Sequence, residues 1–214
     1  AANITVEQDL TVSLTNVFFA GGERTLTIGA DSVVTLGSNV DANNADLNFA
    51  GSGTLDLESF AVTGVNVELD GSVTVSGGTI DGTVDALADS TPTLFNMTVN
   101  GLTTLVAGTG ANDTQLTLHD VTLGANVTEA AAGTNSLIIL KGDITGAAGE
   151  DISIEDANFS GGAISNVTLG ALTIKSGSAV EASSLSNVSA ANITVEQDLT
   201  VSLTNVFFAG GERT

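Results

Sequence analysis

The 214-residue sequence contains no cysteine, no tryptophan and no tyrosine, and it has one proline and one methionine. Without cysteine no disulfide can stabilise the fold, and thiol usage says nothing about the redox compartment. The chain also lacks tryptophan and tyrosine, on whose rings many sugar-cleaving enzymes stack their substrates. No apolar run approaches the roughly 20 residues needed to cross a bilayer, so we expect no membrane span in this segment.

Basic residues are also scarce, because Lys and Arg total 4 against 25 Asp and Glu, which gives a formal charge of -21. Proteins bind phosphate backbones through clustered Lys and Arg, so this charge excludes nucleic acid as a partner and disfavours an anionic membrane surface. The chain is instead rich in Thr, Val and Asn and has 25 glycines. This composition predicts a thin core of small apolar side chains, with Gly and Asn at positions that need unusual backbone angles.

The first 25 residues, AANITVEQDLTVSLTNVFFAGGERT, recur without substitution at positions 190–214. An identity of this length requires copying, so the period must be found before any fold is assigned. We interpret residues 1–189 as one full repeat unit and residues 190–214 as the start of the next identical unit. On this interpretation neither end of the sequence is a natural terminus.

A short triplet recurs through the unit, and it is apolar-polar-apolar in nine of its ten occurrences. Period-two alternation over three residues predicts a short strand with one side facing inward and the other outward. Segments rich in Gly, Asn, Asp and Ser, which favour turns, separate the triplets from further apolar pairs. The triplets begin at Ile4, Leu26, Leu47, Val67, Met97, Leu116, Leu137, Ile152, Leu172 and Ile193.

The triplet spacings of 22, 21, 20, 30, 19, 21, 15, 20 and 21 residues add up to 189. Three short strands in about 21 residues predict an all-β fold, a parallel β-solenoid with about nine coils per unit. We interpret the spacing of 30, which contains Pro92, as a bulge from one coil, and the spacing of 15 between Leu137 and Ile152 as a tightened coil. A string of immunoglobulin-like sandwiches is disfavoured, because sandwich strands alternate in role and their cores use Trp and Tyr.

Through the triplets ITV, LTI, LTL and ISI and the turns SGG and SNV, the chain resembles the cysteine-free parallel β-helices of microbial surface fibres. These include filamentous haemagglutinin-like adhesins, autotransporter passengers and giant tandem-repeat fibre proteins. The resemblance implies a structural stalk or filament in an extracellular or cell-surface location, and by analogy a right-handed coil. It names no functional residues within the stalk.

Identical coils at the two ends of the sequence predict that the chain's main partner is itself. Terminal coils normally need polar caps, but a unit whose first coil equals the first coil of the next needs none. We therefore expect end-to-end stacking or covalent tandem repeats, with lateral bundling left open. Nine coils at about 4.8 Å each give a unit about 43 Å long.

The alternative function is a cation-dependent surface adhesin whose acidic solenoid face binds a partner. No cofactor is required for either function, and calcium is the candidate cation because hard cations bind several carboxylate and carbonyl oxygens. The most concentrated group of acids is Asp143, Glu150 and Asp151. Neither an EF-hand loop nor the glycine-rich nonapeptide of calcium-binding β-rolls accompanies them.

Seven Asn-x-Ser/Thr sequons are candidate glycosylation sites if the chain passes through a glycosylating secretion route. The same pattern arises wherever an Asn at a turn precedes a Thr-rich strand, so the sequons leave both interpretations open. We do not expect an enzyme, because few basic groups accompany the carboxylates and acids at turns are usually solvated. The sequons begin at Asn3, Asn96, Asn112, Asn126, Asn158, Asn166 and Asn187.

Overall fold

The computed structural model describes residues 3–19, 22–42, 45–109, 113–129, 135–175, 183–196 and 199–208. The regular secondary structure in these ranges consists of β-strands alone. All strand pairings are parallel. The strands are β1 (Ile4–Val6), β2 (Thr11–Leu14), β3 (Arg24–Ile28), β4 (Val33–Leu36), β5 (Val40–Asp41), β6 (Leu47–Gly51), β7 (Thr54–Asp56), β8 (Ala61–Leu69), β9 (Thr74–Ser76), β10 (Thr79–Ala86), β11 (Thr93–Val99), β12 (Thr103–Leu105), β13 (Thr114–Leu123), β14 (Val127–Glu129), β15 (Ser136–Gly146), β16 (Ser153–Ile154), β17 (Ala157–Phe159), β18 (Ala163–Ser165), β19 (Thr168–Ile174), β20 (Ser183–Val195) and β21 (Val201–Phe208).

The strands stack in three columns, which we call faces 1, 2 and 3 in the order in which each coil visits them. Face 1 begins with β1, β3 and β6, face 2 with β2, β4 and β7, and face 3 with β5 and the start of β8. Long strands turn corners, so β13 contributes to two faces and β20 to all three. The predicted all-β parallel β-solenoid, with about nine coils spaced about 21 residues apart, is confirmed.

We number the coils from the first strand of face 1. Coil 1 contains β1 and β2, coil 2 contains β3, β4 and β5, and coil 9 contains β19 and the start of β20. Coil 10 contains the rest of β20 and the start of β21. We use "above" for the direction of increasing coil number.

Apolar side chains from the three faces fill the interior of the stack. Phe159 is the largest of the fully buried side chains, and most of the others are Leu, Ile or Val. Since burial is worth about 25 cal/mol per Å² of apolar surface, each coil is stabilised by covering the rim of its neighbours. One interior column of register partners on face 2 runs through ten coils: Val12, Val34, Leu55, Val75, Leu94, Leu118, Leu140, Phe159, Ile174 and Val195.

The triplets that define the period in the sequence do not all lie on one face. The first four lie on face 1, but the triplet beginning at Met97 lies on face 3, where its Val99 pairs with Ile80. The interpretation of the 30-residue spacing as a bulge is therefore wrong. Val84 already stacks on Val67 and begins the next coil, and Met97 belongs to face 3 of that same coil.

The interpretation of the 15-residue spacing as a tightened coil is wrong for the same reason. The triplet at Leu137 lies on face 2, where Ile138 pairs with Ala157 in the coil above. Ile152 precedes β16, which lies on face 1, where Ile154 stacks on Val127. The two triplets are thus two faces apart and do not stack on each other.

Left-handed residues form the corners between strands. Eleven described non-glycine residues have positive φ, and ten of them are Asn or Asp, whose short polar side chains tolerate this conformation. Gly162 has a φ of 117°, and a Cβ there would lie 2.1 Å from the carbonyl oxygen of Gly142 in the coil below. Only glycine fits this corner, since another residue would clash with backbone.

Candidate functional site: the open edges of the coil stack

The two copies of the 25-residue sequence lie at opposite ends of the stack. The first copy (residues 1–25) contains β1 and β2, which pair with β3 and β4 above them. The second copy (residues 190–214) contains the end of β20 and all of β21, which pair with the coils below them. Among the described residues, no strand pairs with the lower edges of β1 and β2, and none pairs with the upper edge of β21 or of β20 from Asn192 to Val195.

The same triplet therefore has a partner on its upper edge in one copy and on its lower edge in the other. In the first copy Ile4 pairs with Leu26 and Val6 with Ile28. In the second copy the equivalent residues pair in the same parallel register, Ile193 with Leu172 and Val195 with Ile174. Neither triplet pairing contains a register shift, so this sequence can carry a coil on both of its edges.

The upper edge of the second copy exposes apolar side chains, because no coil lies above them among the described residues. Val195 is 45% exposed, whereas Val6, its counterpart in the first copy, is 4% exposed beneath coil 2. Leu203 on the same rim is 53% exposed. An open row of strand edges with an apolar rim is a surface on which another strand readily stacks.

One of the four basic residues in the sequence joins the second copy to the coil below it. The Nζ atom of Lys175 lies 3.0 Å from Oε1 of Glu196, which is the second copy's equivalent of Glu7. Both side chains are more than a third exposed, so this ion pair is worth about 0–1 kcal/mol. The pair favours the observed register more than it stabilises the fold. Sequence reasoning missed it, although the two residues are one average coil length apart in the sequence.

A ladder of asparagines lines the corner between faces 3 and 1 in the last coils. Asn166, Asn187 and Asn205 all have left-handed φ angles, of 58°, 53° and 50°. The Nδ2 atom of Asn187 donates to Oδ1 of Asn166 at 3.2 Å, and Nδ2 of Asn205 donates to Oδ1 of Asn187 at 3.1 Å. Asn16, the first copy's equivalent of Asn205, has a φ of 53°, so both copies form the same left-handed corner.

Two of the predicted glycosylation residues, Asn166 and Asn187, are rungs of this ladder. Each is followed by a buried valine and then by an outward Thr or Ser that resumes the strand, which is also the pattern of a sequon. Asn96 occupies a similar left-handed corner with a φ of 49°. Corner geometry thus accounts for these sequons without a glycan, and glycosylation stays a prediction.

The other predicted glycosylation residues have different positions. Asn3 accepts the backbone N–H of Thr25 at 3.1 Å, and Asn126 accepts that of Ser153 at 2.8 Å, so each bonds to the coil above. Asn158 lies in β17, and Asn112 lies outside the described residues.

The calcium candidates are not brought together. Asp143 lies at the corner between faces 2 and 3, where its carboxylate accepts the N–H of Ala163 at 3.1 Å. Glu150 and Asp151 line a groove of 690 Å³ beside the asparagine ladder. Within the described part of the chain, no group of three His, Cys, Asp or Glu side chains could hold a metal ion. A calcium role for these residues stays a prediction.

Carboxylates stack on the outer side of face 1. Glu68 is the register partner of Asp85 in the coil above. Burial raises the pKa of Glu68, and the nearby carboxylates of Glu23, Asp46 and Asp85 raise it further. Parallel stacking therefore places like charges opposite one another, which costs stability in the ionised state.

The described residues include no helix that is long and apolar enough to cross a membrane. A comparison of the sequence with protein-family models, curated proteins and solved structures finds no match in any of the three.

Proposed function

We propose that this chain is a segment of a structural extracellular fibre or stalk, in which tandem β-solenoid units join end to end into one continuous stack of coils. One observation carries the proposal: the repeated sequence accepts a coil above it in the first copy and a coil below it in the second. A strand with both edges paired has the environment of an interior strand. The segment is thus suited to the middle of a longer stack.

The apolar rim of the second copy supports the same function. Val195 and Leu203 are about half exposed at the top of the stack, and a following coil would cover both. Complete burial of such a side chain stabilises a protein by about 1.5–3 kcal/mol, of which roughly half remains to be gained here. A further unit would therefore extend the stack with a favourable joint.

The acidic surface suits a filament that is surrounded by water. A net charge of -21 on 214 residues keeps neighbouring filaments apart and opposes precipitation. The extracellular location is proposed from the resemblance to microbial surface fibres alone. Self-association through coil edges is the partner interaction that this function requires.

Extending the chain by one unit tests the proposal. Residues 26–214 would be added after Thr214, and the rods would be measured by electron microscopy and small-angle X-ray scattering. We expect the rod to lengthen by about 45 Å at constant width, the advance of nine to ten coils at about 4.8 Å each. Two bodies joined by a flexible linker would contradict the proposal.

The variant Val195→Asp provides a matched control, because Val195 is 45% exposed in the 214-residue chain and would be covered at the joint of the extended chain. We expect the variant of the unextended chain to remain folded, since its new charge reaches water. In the extended chain the same charge would be buried without a partner, so the rod should open or kink at its centre. Equal tolerance of the substitution in both chains would show that the joint does not form.

A further inference from the structure

The second copy lies one face further around the solenoid than the first. In the first copy the triplet at Ile4 is on face 1 and β2 is on face 2. In the second copy the equivalent triplet at Ile193 stacks on Leu172, which is on face 2. Leu203 stacks on Leu185 on face 3, and Phe208 stacks on Ala190 on face 1. Every strand of the copy is therefore displaced by one face in the same direction.

One column of register partners on face 2 gives the size of the displacement. Thr194 lies nine coils above Thr11, and not above Thr5, which is its equivalent in the first copy. Because Thr5 is one face before Thr11 in coil 1, the chain makes nine coils and one face between Thr5 and Thr194. The column consists of Thr11, Val33, Thr54, Thr74, Thr93, Thr117, Ile139, Asn158, Thr173 and Thr194.

We propose that the upper edge of the second copy is a docking surface for coil 2 of a following unit with the same sequence, and that each unit is consequently turned by one face relative to the unit before it. This inference rests on the proposed fibre. The occupant is identified by the chain itself, since coil 2 already stacks on the same residues in the first copy. Asn16 and Asn205 both have left-handed φ angles, so the copy keeps this corner after the displacement.

The geometry of the fibre follows from this displacement. One unit would advance by about 45 Å and turn by about a third of a revolution, in addition to any twist of the sheets. With sheet twist set aside, units would regain the same orientation after three repeats, which is about 28 coils or about 130 Å.

A surface feature that occurs once per unit would then wind around the fibre. His119 is such a feature, because it is the only histidine in the sequence and its ring lies 4.9 Å from that of Phe95. It is also the register partner of Lys141 in the coil above. A partner lying along one side of the fibre would meet His119 and Lys141 at every third unit.

Cysteine pairs test the coil count that produces the turn, and the absence of native cysteine makes such cross-links unambiguous. In the structure Ser153 is the register partner of Thr168. If a unit contained a whole number of coils with triplet stacked on triplet, Ser153 would instead pair with Thr173. Neighbouring strands about 4.8 Å apart meet the Cα separation of a disulfide, about 4.4–6.8 Å.

We expect the pair S153C/T168C to form a disulfide at least tenfold faster than S153C/T173C under mild oxidation. A second pair of variants tests the 30-residue spacing between the triplets at Val67 and Met97. There Glu68 is the register partner of Asp85 and not of Thr98. E68C/D85C should therefore cross-link much faster than E68C/T98C. Faster cross-linking of the alternative partner in either set would overturn the inference.

Helical reconstruction of the extended chain, or of a longer tandem chain, measures the turn directly. We expect successive units to superpose after a rise of about 45 Å combined with a rotation of about one face. A single rod whose units share one orientation would overturn the rotation while leaving the fibre intact. A string of separate bodies would overturn the proposed fibre itself, so the two failures are distinguishable.

Discussion

Replacing Thr103 and Thr114 by valine should change stability in opposite directions. Both threonines are fully buried. Thr103 lies in the interior of face 1 between its register partners Val84 and Val127, and its hydroxyl has no hydrogen-bond partner. The Thr114 hydroxyl instead accepts the backbone N–H of Asp89 at 2.9 Å.

The expected magnitudes follow from these contacts. Valine and threonine have nearly the same shape, and valine already occupies the positions above and below Thr103. Thr103→Val removes a buried hydroxyl that makes no hydrogen bond, so the substitution should stabilise the fold by about 1–3 kcal/mol. Thr114→Val removes the acceptor of a hydrogen bond and should cost about 0.5–1.5 kcal/mol.

Urea unfolding of the two variants at neutral pH measures the difference, provided that the m-value does not change. Solenoids need not unfold in a single step, so amide exchange in β12 and β13 should accompany the unfolding curves. Exchange should slow near residue 103 in the first variant and accelerate near residue 114 in the second. Destabilisation by Thr103→Val, or changes of the same sign in both variants, would refute the reasoning.

Three further predictions concern corners and charges. Asn187→Gly keeps a left-handed corner but removes two ladder hydrogen bonds, so urea unfolding should show a loss of about 1–2 kcal/mol. Glu68→Gln should stabilise the chain by about 0.2–1 kcal/mol at pH 7, because Glu68 faces Asp85 and has a raised pKa. The pKa of Glu68 is higher in the folded than in the unfolded chain, so ionisation of Glu68 lowers stability as the pH rises through the folded-state pKa. Below the unfolded-state value Glu68 is protonated in both states and costs nothing. The gain from Glu68→Gln should therefore vanish in unfolding curves measured below pH 4.5. Gly162→Ala should cost several kcal/mol, about 3 or more, in thermal or urea unfolding, because its Cβ would overlap the Gly142 carbonyl.

Matched variants separate each effect from its background. Asn96→Gly changes a similar left-handed residue whose side chain makes no hydrogen bond in the described structure, and an equal loss there would rule out a contribution from the ladder. The pH series provides the control for Glu68→Gln, because a gain that persists unchanged below pH 4.5 would contradict the charge argument. Gly149→Ala shares a positive φ of 87° but meets no atom within 4 Å, so a cost as large as that of Gly162→Ala would contradict the steric argument.

The sequence determined the strands, the corners and the kind of fold. The triplet at Ile4 is β1, and the triplet at Leu26 lies within β3, as the alternation of apolar and polar residues predicts. The corners coincide with Asn, Asp and Gly because the left-handed conformation is a local steric property of those residues. The duplicated ends were also visible in the sequence, so the surface that we propose for self-association could be located to within one coil.

Only the tertiary structure decided which face each triplet occupies. An inward apolar residue followed by an outward polar one looks the same on all three faces, so the period alone cannot distinguish a full coil from two thirds of one. Coil lengths vary widely, since the segment from Val127 to Ile154 on face 1 is nearly twice as long as the segment from Ile154 to Leu169 in the next coil. Corner loops absorb these differences while the strands stay in register, because stacking depends on the side chains of adjacent coils and not on the spacing along the chain. The second copy is displaced by one face because these differences in coil length add up over the unit. The displacement becomes visible only when the coils are stacked.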